Sequence, residues 1–286
     1  MVERAVLKAF YLSATSYVKP GAVHRLTTGK DLDRFILSSI AALPIICRAA
    51  EAGRDVAKGR RGMPDAGIGS MILDAARSAY AWLGSHPLID VAVAAVHASF
   101  ALSYSYARRG EVDPGEYRSA LGFSARSSSS EDLVRFLEAL KTVGEFRLLD
   151  ILEERRITVI RASLENLNLV DAYRVLAEAR PIYGALTSSK TLSAVESRIM
   201  EEYKKHRDMN VSVVNAYVGL LAPRLPNKYS KMLERAVGLG LMTTRDGARA
   251  LLELDRRLRM DGVDFTNLIP VLAVVLVPLT AMGYKL

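Results

Sequence analysis

The sequence predicts an all-α protein, a multi-helix bundle of about ten or eleven helices with no significant sheet. Apolar residues recur at three- and four-residue spacing along almost the whole chain, as at Phe35, Ile36, Ile40 and Leu43, and this is the period of one helix face. Residues that favour helix N-caps precede several of these segments. Only residues 156–164 have strand character, and one isolated strand forms no sheet.

Five helices are predicted in the first half of the chain, at residues 2–17, 31–53, 69–83, 88–109 and 130–143. Asp31 and Ser130 stand at N-cap positions, and Glu131 and Asp132 follow Ser130 with negative charges that suit a helix N-terminus. The helix at 88–109 is crowded with alanine and serine. Small side chains let neighbouring helices pack closely, so we expect this helix at the centre of the bundle.

Six more helices are predicted at residues 167–180, 191–206, 211–221, 228–239, 244–260 and 267–282. Thr244 stands at the N-cap position of the fifth. The last is the most apolar, but about fifteen residues with Pro270 and Pro278 among them fall short of the roughly 20 that a bilayer requires. We expect a buried terminal helix and no membrane partner; membrane association of this helix is the weaker alternative.

Length and composition exclude a disordered or collagen-like chain. The 286 residues, 50% hydrophobic and 24% charged, are enough to bury a substantial core, and we expect a single domain over 1–286. The single cysteine, Cys47, excludes an internal disulfide and is expected in the core. The first residues alternate charge with apolar side chains, unlike a signal peptide, so we expect a cytoplasmic location.

The positive charge is concentrated at the N-terminus. The net charge is +8, and residues 1–62 hold eleven cations against five anions, a balance of +6. Such an excess attracts phosphate on a nucleotide, a coenzyme or a nucleic-acid backbone. A solvated basic face without a ligand is the alternative.

The loop at residues 18–25 is the strongest candidate for a binding site. Pro20 and Gly21 impose a turn between two helices, which can direct Lys19, His24 and Arg25 toward one point. Arginine and lysine suit phosphate, and histidine carries protons near neutral pH. We expect a pocket for a polyphosphate here. The alternative is that Lys19 and Arg25 are solvated and His24 caps a carbonyl.

A second loop, at residues 53–69, is basic and rich in glycine. Arg60 and Arg61 precede Asp65, Gly67 and Gly69, and a helix follows. Glycines ahead of a helix can expose backbone N–H groups to an anion, although the spacing matches no established phosphate-loop motif. A flexible connector is an equal alternative.

Metal and hydrolase sites have no support in the sequence. His24, His86, His97 and His206 do not share a metal-ligand spacing, and Gly-x-Ser-x-Gly is absent. We predict no tightly bound metal.

These segments resemble the triphosphoribosyl-dephospho-CoA synthase family, which consists of all-helical transferases. The similarity is strongest over residues 16–44, in the Lys-Pro-Gly turn at 19–21, the basic pair at 24 and 25, and the pattern Asp31, Asp33, Phe35, Ser38 and Ala41-Ala42-Leu43-Pro44. Weaker similarity continues to Leu220-Leu221-Ala222 and Glu253-Leu254-Asp255.

The chain departs from the family pattern at several polar positions. Residues 65–69 lack the amide and imidazole of the family segment, and Arg180 stands where a carboxylate is expected. Residues 226–228 read Pro-Asn-Lys. In residues 264–270 the final carboxylate of the family motif aligns with Pro270.

The resemblance implies transfer of a triphosphoribosyl group from ATP, with Mg²⁺, to a dephospho-CoA-like acceptor, with release of adenine. It implies catalytic roles for Asp31, Asp33 and His24. Phosphate contacts are expected from Lys19, Gly21, Arg25, Arg60, Arg61, Asp65, Gly67 and Gly69. The alternative is a degenerate, non-catalytic paralogue that binds nucleotide, RNA or a protein partner through its basic N-terminal region. A homo-oligomer is compatible with either hypothesis.

Overall fold

The computed structural model describes residues 1–27, 29–84 and 87–284. Within these ranges the chain forms sixteen α-helices and five 3₁₀ turns, and it has no strand. The helices are α1 Val2–Thr15, α2 Asp31–Ala41, α3 Leu43–Ala57, α4 Ile68–Leu83, α5 Ile89–Arg109, α6 Pro114–Arg126, α7 Ser130–Thr142, α8 Phe146–Glu154, α9 Val159–Leu164, α10 Leu169–Leu176, α11 Pro181–Thr187, α12 Ser189–His206, α13 Met209–Leu221, α14 Ser230–Gly238, α15 Arg245–Met260 and α16 Ile269–Ala281.

Helix α5 runs through the centre of the bundle, as its small residues predict. Every residue from Ile89 to Ser103 is buried, and α3, α6 and α16 pack against the helix. The approach of α3 is close at Gly53, where a Cβ atom would lie 2.3 Å from the carbonyl oxygen of Phe100. Only glycine fits there, because the backbones of the two helices are almost in contact.

Helix α16 is the buried terminal helix that its composition predicts. Its residues from Ile269 to Thr280 are all buried, and it packs along α1 and against α5 and α12. Among the described residues, no single helix is long and apolar enough to cross a membrane. Helices α2 and α3 meet that test of length and composition only as a pair bent by 49°.

The predicted helix at residues 31–53 is two helices. It breaks at Ala42, where α2 ends and α3 begins, and Pro44 occupies the first turn of α3. Proline lacks the N–H that would continue α2 and disfavours a helical conformation at the residue before it. Proline is well tolerated in the first turn of a new helix.

The number of helices is larger than predicted because short ones escaped the sequence analysis. Helices α6, α8 and α11 have 13, 9 and 7 residues, and the latter two are too short to show a clear period. The strand character of residues 156–164 was misleading, since this segment contains α9, whose N-cap Thr158 accepts a hydrogen bond from the N–H of Arg161.

The helix caps agree with prediction to within one residue. Thr244 caps α15 by accepting from the N–H of Gly247, as expected. The cap of α7 is Ser129 rather than Ser130, and Ser129 and Asp132 form a reciprocal capping box. Asp31 is the first residue of α2, after its N-cap Lys30.

Candidate functional site

A cleft forms where the N-terminal ends of four helices meet: α2, α5, α11 and α16. Its lining residues are Asp31, Arg34, Phe35, Leu88, Asp90, Arg180, Asp264, Thr266, Asn267 and Pro270. About 80 Å³ of the space between them is accessible to water, within about 460 Å³ that includes open solvent. These residues are distributed over almost the whole sequence, so the tertiary structure assembles the cleft.

The electrostatics of the cleft combine both signs of charge. Helix N-termini carry partial positive charge and favour anions, and Arg34 and Arg180 add two cations. Asp31, Asp90 and Asp264 bring carboxylates to the same space. Such a cleft can bind a polyphosphate through its helix ends and arginines, and it can stabilise a positive charge beside its carboxylates.

Asp90 is the most perturbed acid in the cleft. It lies in the first turn of α5, is 6% exposed, and its Oδ1 has no hydrogen-bond partner. Burial raises the pKa of Asp90 to about 6, although the charge of Arg180 opposes the shift. A buried carboxyl with an unsatisfied oxygen favours its protonated form.

Arg180 is shared between two acids. Its Nε lies 3.9 Å from Oδ2 of Asp90, and its Nη2 donates to both carboxylate oxygens of Glu145 at 3.1 Å. Glu145 therefore holds the guanidinium at the edge of the cleft. In the sequence, Arg180 stands out only because the family pattern has a carboxylate at this position.

Tyr183 lies behind Asp90, one turn along α11 from Arg180. Its side chain is buried among Phe136 and Tyr173. Its hydroxyl approaches Asp90 closely enough to favour the ionised carboxyl, but it forms no hydrogen bond of standard geometry. Burial raises the pKa of Tyr183 well above its usual value.

The sequence analysis missed Asp90, Glu145 and Tyr183 as site residues. One signal was present for Asp90, since this aspartate lies in the first turn of a helix and is followed by six small or apolar residues, Val91 to Val96. Nothing local indicates that Glu145 and Tyr183 lie near it.

The Lys-Pro-Gly turn at residues 19–21 does not line the cleft. It holds in place one of the segments that do. The N–H of Phe265 donates to the carbonyl oxygen of Gly21 at 2.6 Å, which fixes the segment that carries Asp264 and Asn267. Gly21 has φ of +71°, and a Cβ atom there would lie 2.9 Å from Cδ2 of Phe265. The buried hydroxyl of Tyr217 donates to the carbonyl of Pro20 at 2.7 Å.

Asp255 of α15 organises the same turn. Its carboxylate accepts from the N–H of Gly21 at 2.8 Å, lies 3.2 Å from Nε2 of His24, and accepts from Nε of Arg259 at 2.9 Å. Burial alone would raise the pKa of Asp255, but the hydrogen bonds from His24 and Arg259 outweigh burial and lower it.

His24 is enclosed by these contacts. It is 1% exposed, and its Nδ1 accepts from the N–H of Leu26 at 3.2 Å, so Nε2 carries the proton toward Asp255. Because both ring nitrogens form hydrogen bonds within the protein, His24 stabilises the conformation of the turn. Its predicted catalytic role stays a prediction.

Lys19 and Arg25 do not frame a common pocket. Lys19 is fully buried, and its Nζ donates to the carbonyl oxygens of Ala14 and Ser16. Burial lowers its pKa well below the usual value, and the charge of Arg25 adds to the shift. Arg25 is exposed and lies over the ring of Tyr17, 4.7 Å from its centroid. The structure does not bring these side chains together, because Lys19 points into the interior and Arg25 lies at the surface; their predicted contacts with phosphate stay a prediction.

The predicted residues of the second loop also lie apart from the cleft. Arg60 pairs with Asp55, while Arg61 and Asp65 are exposed. Gly67 and Gly69 lie at the start of α4, and the structure favours glycine at both positions. Gly67 has φ of +70°, and a Cβ atom at Gly69 would lie 1.9 Å from the carbonyl oxygen of Asp132. Phosphate binding by this loop stays a prediction.

Of the predicted catalytic acids, the structure places one at the cleft. Asp31 lines it, with its side chain 60% exposed and paired to Arg34 at 3.3 Å. Asp33 is exposed two residues further along α2 and is not among the lining residues.

The histidines do not form a metal site within the described ranges, where no group of three or more potential metal ligands is present. His97 is buried between the hydroxyls of Ser124 and Tyr173, and burial lowers its pKa to about 3. His206 lies at the end of α12, 3.8 Å from Glu202. His86 lies outside the described residues.

A larger cavity of about 930 Å³ lies between α1, α3 and α5. It contains none of the residues predicted for the site, and its charged lining mixes Glu3 and Glu51 with Arg54 and Lys58. Cys47 lines this cavity and is exposed rather than buried in the core, contrary to prediction. The smaller cleft is the better candidate, because residues of the family motifs converge there.

Comparisons with known proteins agree with the fold and the motifs. The model of the ATP:dephospho-CoA triphosphoribosyl transferase family matches residues 1–226. A crystal structure from Archaeoglobus fulgidus, titled as a candidate triphosphoribosyl-dephospho-CoA synthase, matches with a TM-score of 0.52 at 20% identity, covering 85% of this chain and 100% of that chain. The comparison with curated proteins found no match. The chain belongs to the ATP:dephospho-CoA triphosphoribosyl transferase family.

Proposed function

We propose that this protein transfers the triphosphoribosyl group of ATP to a hydroxyl of a dephospho-CoA-like acceptor and releases adenine, and that the cleft is its active site. The observation that carries the proposal is the convergence of Asp31, Arg180 and residues 264–270 on one cleft. These positions lie far apart in sequence, and each occupies a segment comparable to a family motif, with Arg180 and Pro270 in place of the carboxylates that the family pattern has there.

The chemistry of the transfer matches the charges of the cleft. The bond between C1′ of the ribose and N9 of adenine breaks, and the sugar becomes positively charged as it does so. Carboxylates beside that carbon stabilise the developing charge. The triphosphate of the donor requires positive charge, which Arg34, Arg180 and the helix N-termini supply.

We assign Asp31 to the acceptor side of the reaction. Its carboxylate is accessible, so it can orient the acceptor hydroxyl and accept the hydroxyl proton as the new C1′–O bond forms. Magnesium enters as part of the substrate, bound to the triphosphate, because the described carboxylates do not form a protein ligand cluster. The predicted role of Asp33 does not enter this assignment.

A direct assay tests the proposal. The purified protein is incubated with ATP, Mg²⁺ and dephospho-CoA, and the products are separated by chromatography and identified by mass. We expect adenine and a triphosphoribosyl adduct of the acceptor in equal amounts. Asp31→Ala should slow the transfer at least about a hundredfold, as loss of a general base does, while Asp33→Ala on the same helix serves as the matched control.

The non-catalytic alternative makes a different prediction. ATP would raise the melting temperature without release of adenine, since a ligand at 100 times its dissociation constant stabilises the folded state by about 2.7 kcal/mol. For RNA binding, part of the basic N-terminal region is engaged within the protein, since Lys19 is buried, Arg48 pairs with Asp74, and Arg60 pairs with Asp55, while Arg54 and Arg61 are exposed.

A further inference from the structure

We propose that Asp90 is the catalytic acid that protonates adenine as it leaves. This inference rests on the proposed function and adds a residue and a role to it. Adenine leaves poorly as an anion, so enzymes that break this bond benefit from a proton delivered to the purine ring. An acid beside the donor must have a pKa close to the working pH, so that it can both hold and release its proton, and it must border the space where the base lies.

The geometry of Asp90 meets both requirements. Its carboxyl borders the cleft, while Oδ1 is removed from solvent and has no hydrogen-bond donor. An ionised carboxylate in that position is stabilised by Arg180 at 3.9 Å and by the nearby Tyr183 hydroxyl, but burial outweighs both and favours the protonated form. The pKa of about 6 agrees with this geometry.

The charged and titratable groups around Asp90 come from several elements. Arg180 and Tyr183 lie on the α11 side, and Glu145, just before α8, holds Arg180. Arg180 favours ionisation of Asp90 while Glu145 opposes it. The other charged residues that line the cleft are Asp31, Arg34 and Asp264. Asp31 and Asp90 thus provide an exposed carboxyl group and a buried one with a raised pKa, two different environments that suit a general base and a general acid.

The proton transfers that accompany the ribosyl transfer balance. The C1′–N9 bond breaks and its electron pair stays on adenine, while the carboxyl proton of Asp90 moves to a ring nitrogen of the purine. The acceptor oxygen forms the bond to C1′ and passes its proton to Asp31. Asp31 gives a proton to water and Asp90 regains one from water, so the reaction consumes none.

The test compares two donors that differ in their need for an acid. ATP is compared with 8-aza-ATP, in which nitrogen replaces C8 and the departing base is stable as an anion. Asp90→Asn, which keeps the shape of the side chain, should lower kcat with ATP by about 10² to 10⁴. With 8-aza-ATP the loss should be less than about tenfold. Asp264→Asn is the matched control, because it removes another cleft carboxylate that does not contribute to the pKa of Asp90, and it should slow both donors by the same factor.

Wild-type pH profiles give a second measurement that needs no variant. With ATP, kcat should fall as the pH rises above the apparent pKa of the acid, and with 8-aza-ATP this limb should be absent or shallow. Equal losses for the two donors in Asp90→Asn, or identical pH profiles, would overturn the role of Asp90 while leaving the transfer intact. A wild-type protein that releases no adenine from ATP would overturn the proposed function and this inference together.

Discussion

Gly21 and Phe265 are joined by a backbone hydrogen bond of 2.6 Å, from the N–H of Phe265 to the carbonyl oxygen of Gly21. The two residues are 244 positions apart in the sequence. Through this bond the turn between α1 and α2 holds the segment before α16, and that segment carries Asp264 and Asn267 into the cleft. The turn therefore acts on the site from outside it, as a support.

Gly21→Ala should lower both stability and activity. The substitution places a Cβ atom 2.9 Å from Cδ2 of Phe265 at a φ of +71°, so it combines steric overlap with backbone strain. Gly67→Ala has a similar φ of +70° but open space and should cost only the strain, about 1 kcal/mol. Urea denaturation should give a loss for Gly21→Ala at least about 1 kcal/mol larger. Equal losses of unfolding free energy in the two variants would show that the Phe265 side chain moves aside without an energetic cost.

Asp255→Ala should destabilise the protein by about 3 to 5 kcal/mol, because removing one partner leaves His24 and Arg259 without their carboxylate in a buried site. Glu253→Ala is the control on the same helix, since that side chain is 60% exposed, and it should change the free energy of unfolding by less than about 0.5 kcal/mol. Chemical denaturation of the two variants at neutral pH measures the difference. A loss below about 1 kcal/mol for Asp255→Ala would contradict the central role of Asp255.

Gly69→Ala should be strongly destabilising, by more than about 3 kcal/mol, because the new Cβ atom would lie 1.9 Å from the carbonyl oxygen of Asp132 and force α4 and α7 apart. Gly219→Ala in α13 meets nothing within 4 Å and should stabilise the helix by about 0.5 to 1 kcal/mol. Melting temperatures that move in opposite directions would agree with this expectation. A wild-type melting temperature for Gly69→Ala would contradict the close approach of the two helices.

Asp90→Asn should increase stability above pH 6. The folded-state pKa of Asp90 is about 6, against an ordinary value of 3.8, so the folded protein holds this proton more tightly than the unfolded chain. Wild-type stability therefore falls as the pH rises from about 4 through 6. The shift corresponds to about 3 kcal/mol, and we expect a gain of about 1 to 3 kcal/mol because Arg180 also loses a charged neighbour.

The measurement for Asp90→Asn is the free energy of unfolding at pH 4 and pH 8. The difference from wild type should shrink to less than about 1 kcal/mol at the lower pH, where Asp90 is protonated in the folded protein and partly protonated in the unfolded chain, whose ordinary pKa is 3.8. A variant that is less stable than wild type at pH 8 would show that the pairing with Arg180 outweighs burial.

Lys19→Met and Arg180→Ala should separate the turn from the cleft in ligand binding. Because Lys19 is buried on backbone carbonyls, its loss should leave the dissociation constant for Mg-ATP within about twofold of wild type. Arg180→Ala should raise it about tenfold or more, as expected for a lost charge-assisted contact. Isothermal titration calorimetry measures both. If Lys19→Met folds but binds Mg-ATP as poorly as Arg180→Ala, the polyphosphate pocket predicted at the turn would regain support.

The sequence by itself determined the helical class, the central position of α5 and the burial of α16, because each depends on periodicity and side-chain size within one continuous segment. It also determined the family, through motifs such as Lys19-Pro20-Gly21 that are local by nature. Short helices escaped it because seven to nine residues of α8 and α11 complete too few turns to display a period.

Only the tertiary structure decided what the basic turn does. The sequence around Lys19, His24 and Arg25 is the same whether these side chains face a ligand or the interior. The conformation of the turn depends on Asp255 and Phe265, more than 230 residues away. The properties of the cleft likewise depend on the tertiary structure. Asp90 acquires a raised pKa from burial beneath Arg180 and Tyr183, and since burial is a property of packing between distant segments, no local pattern could reveal it.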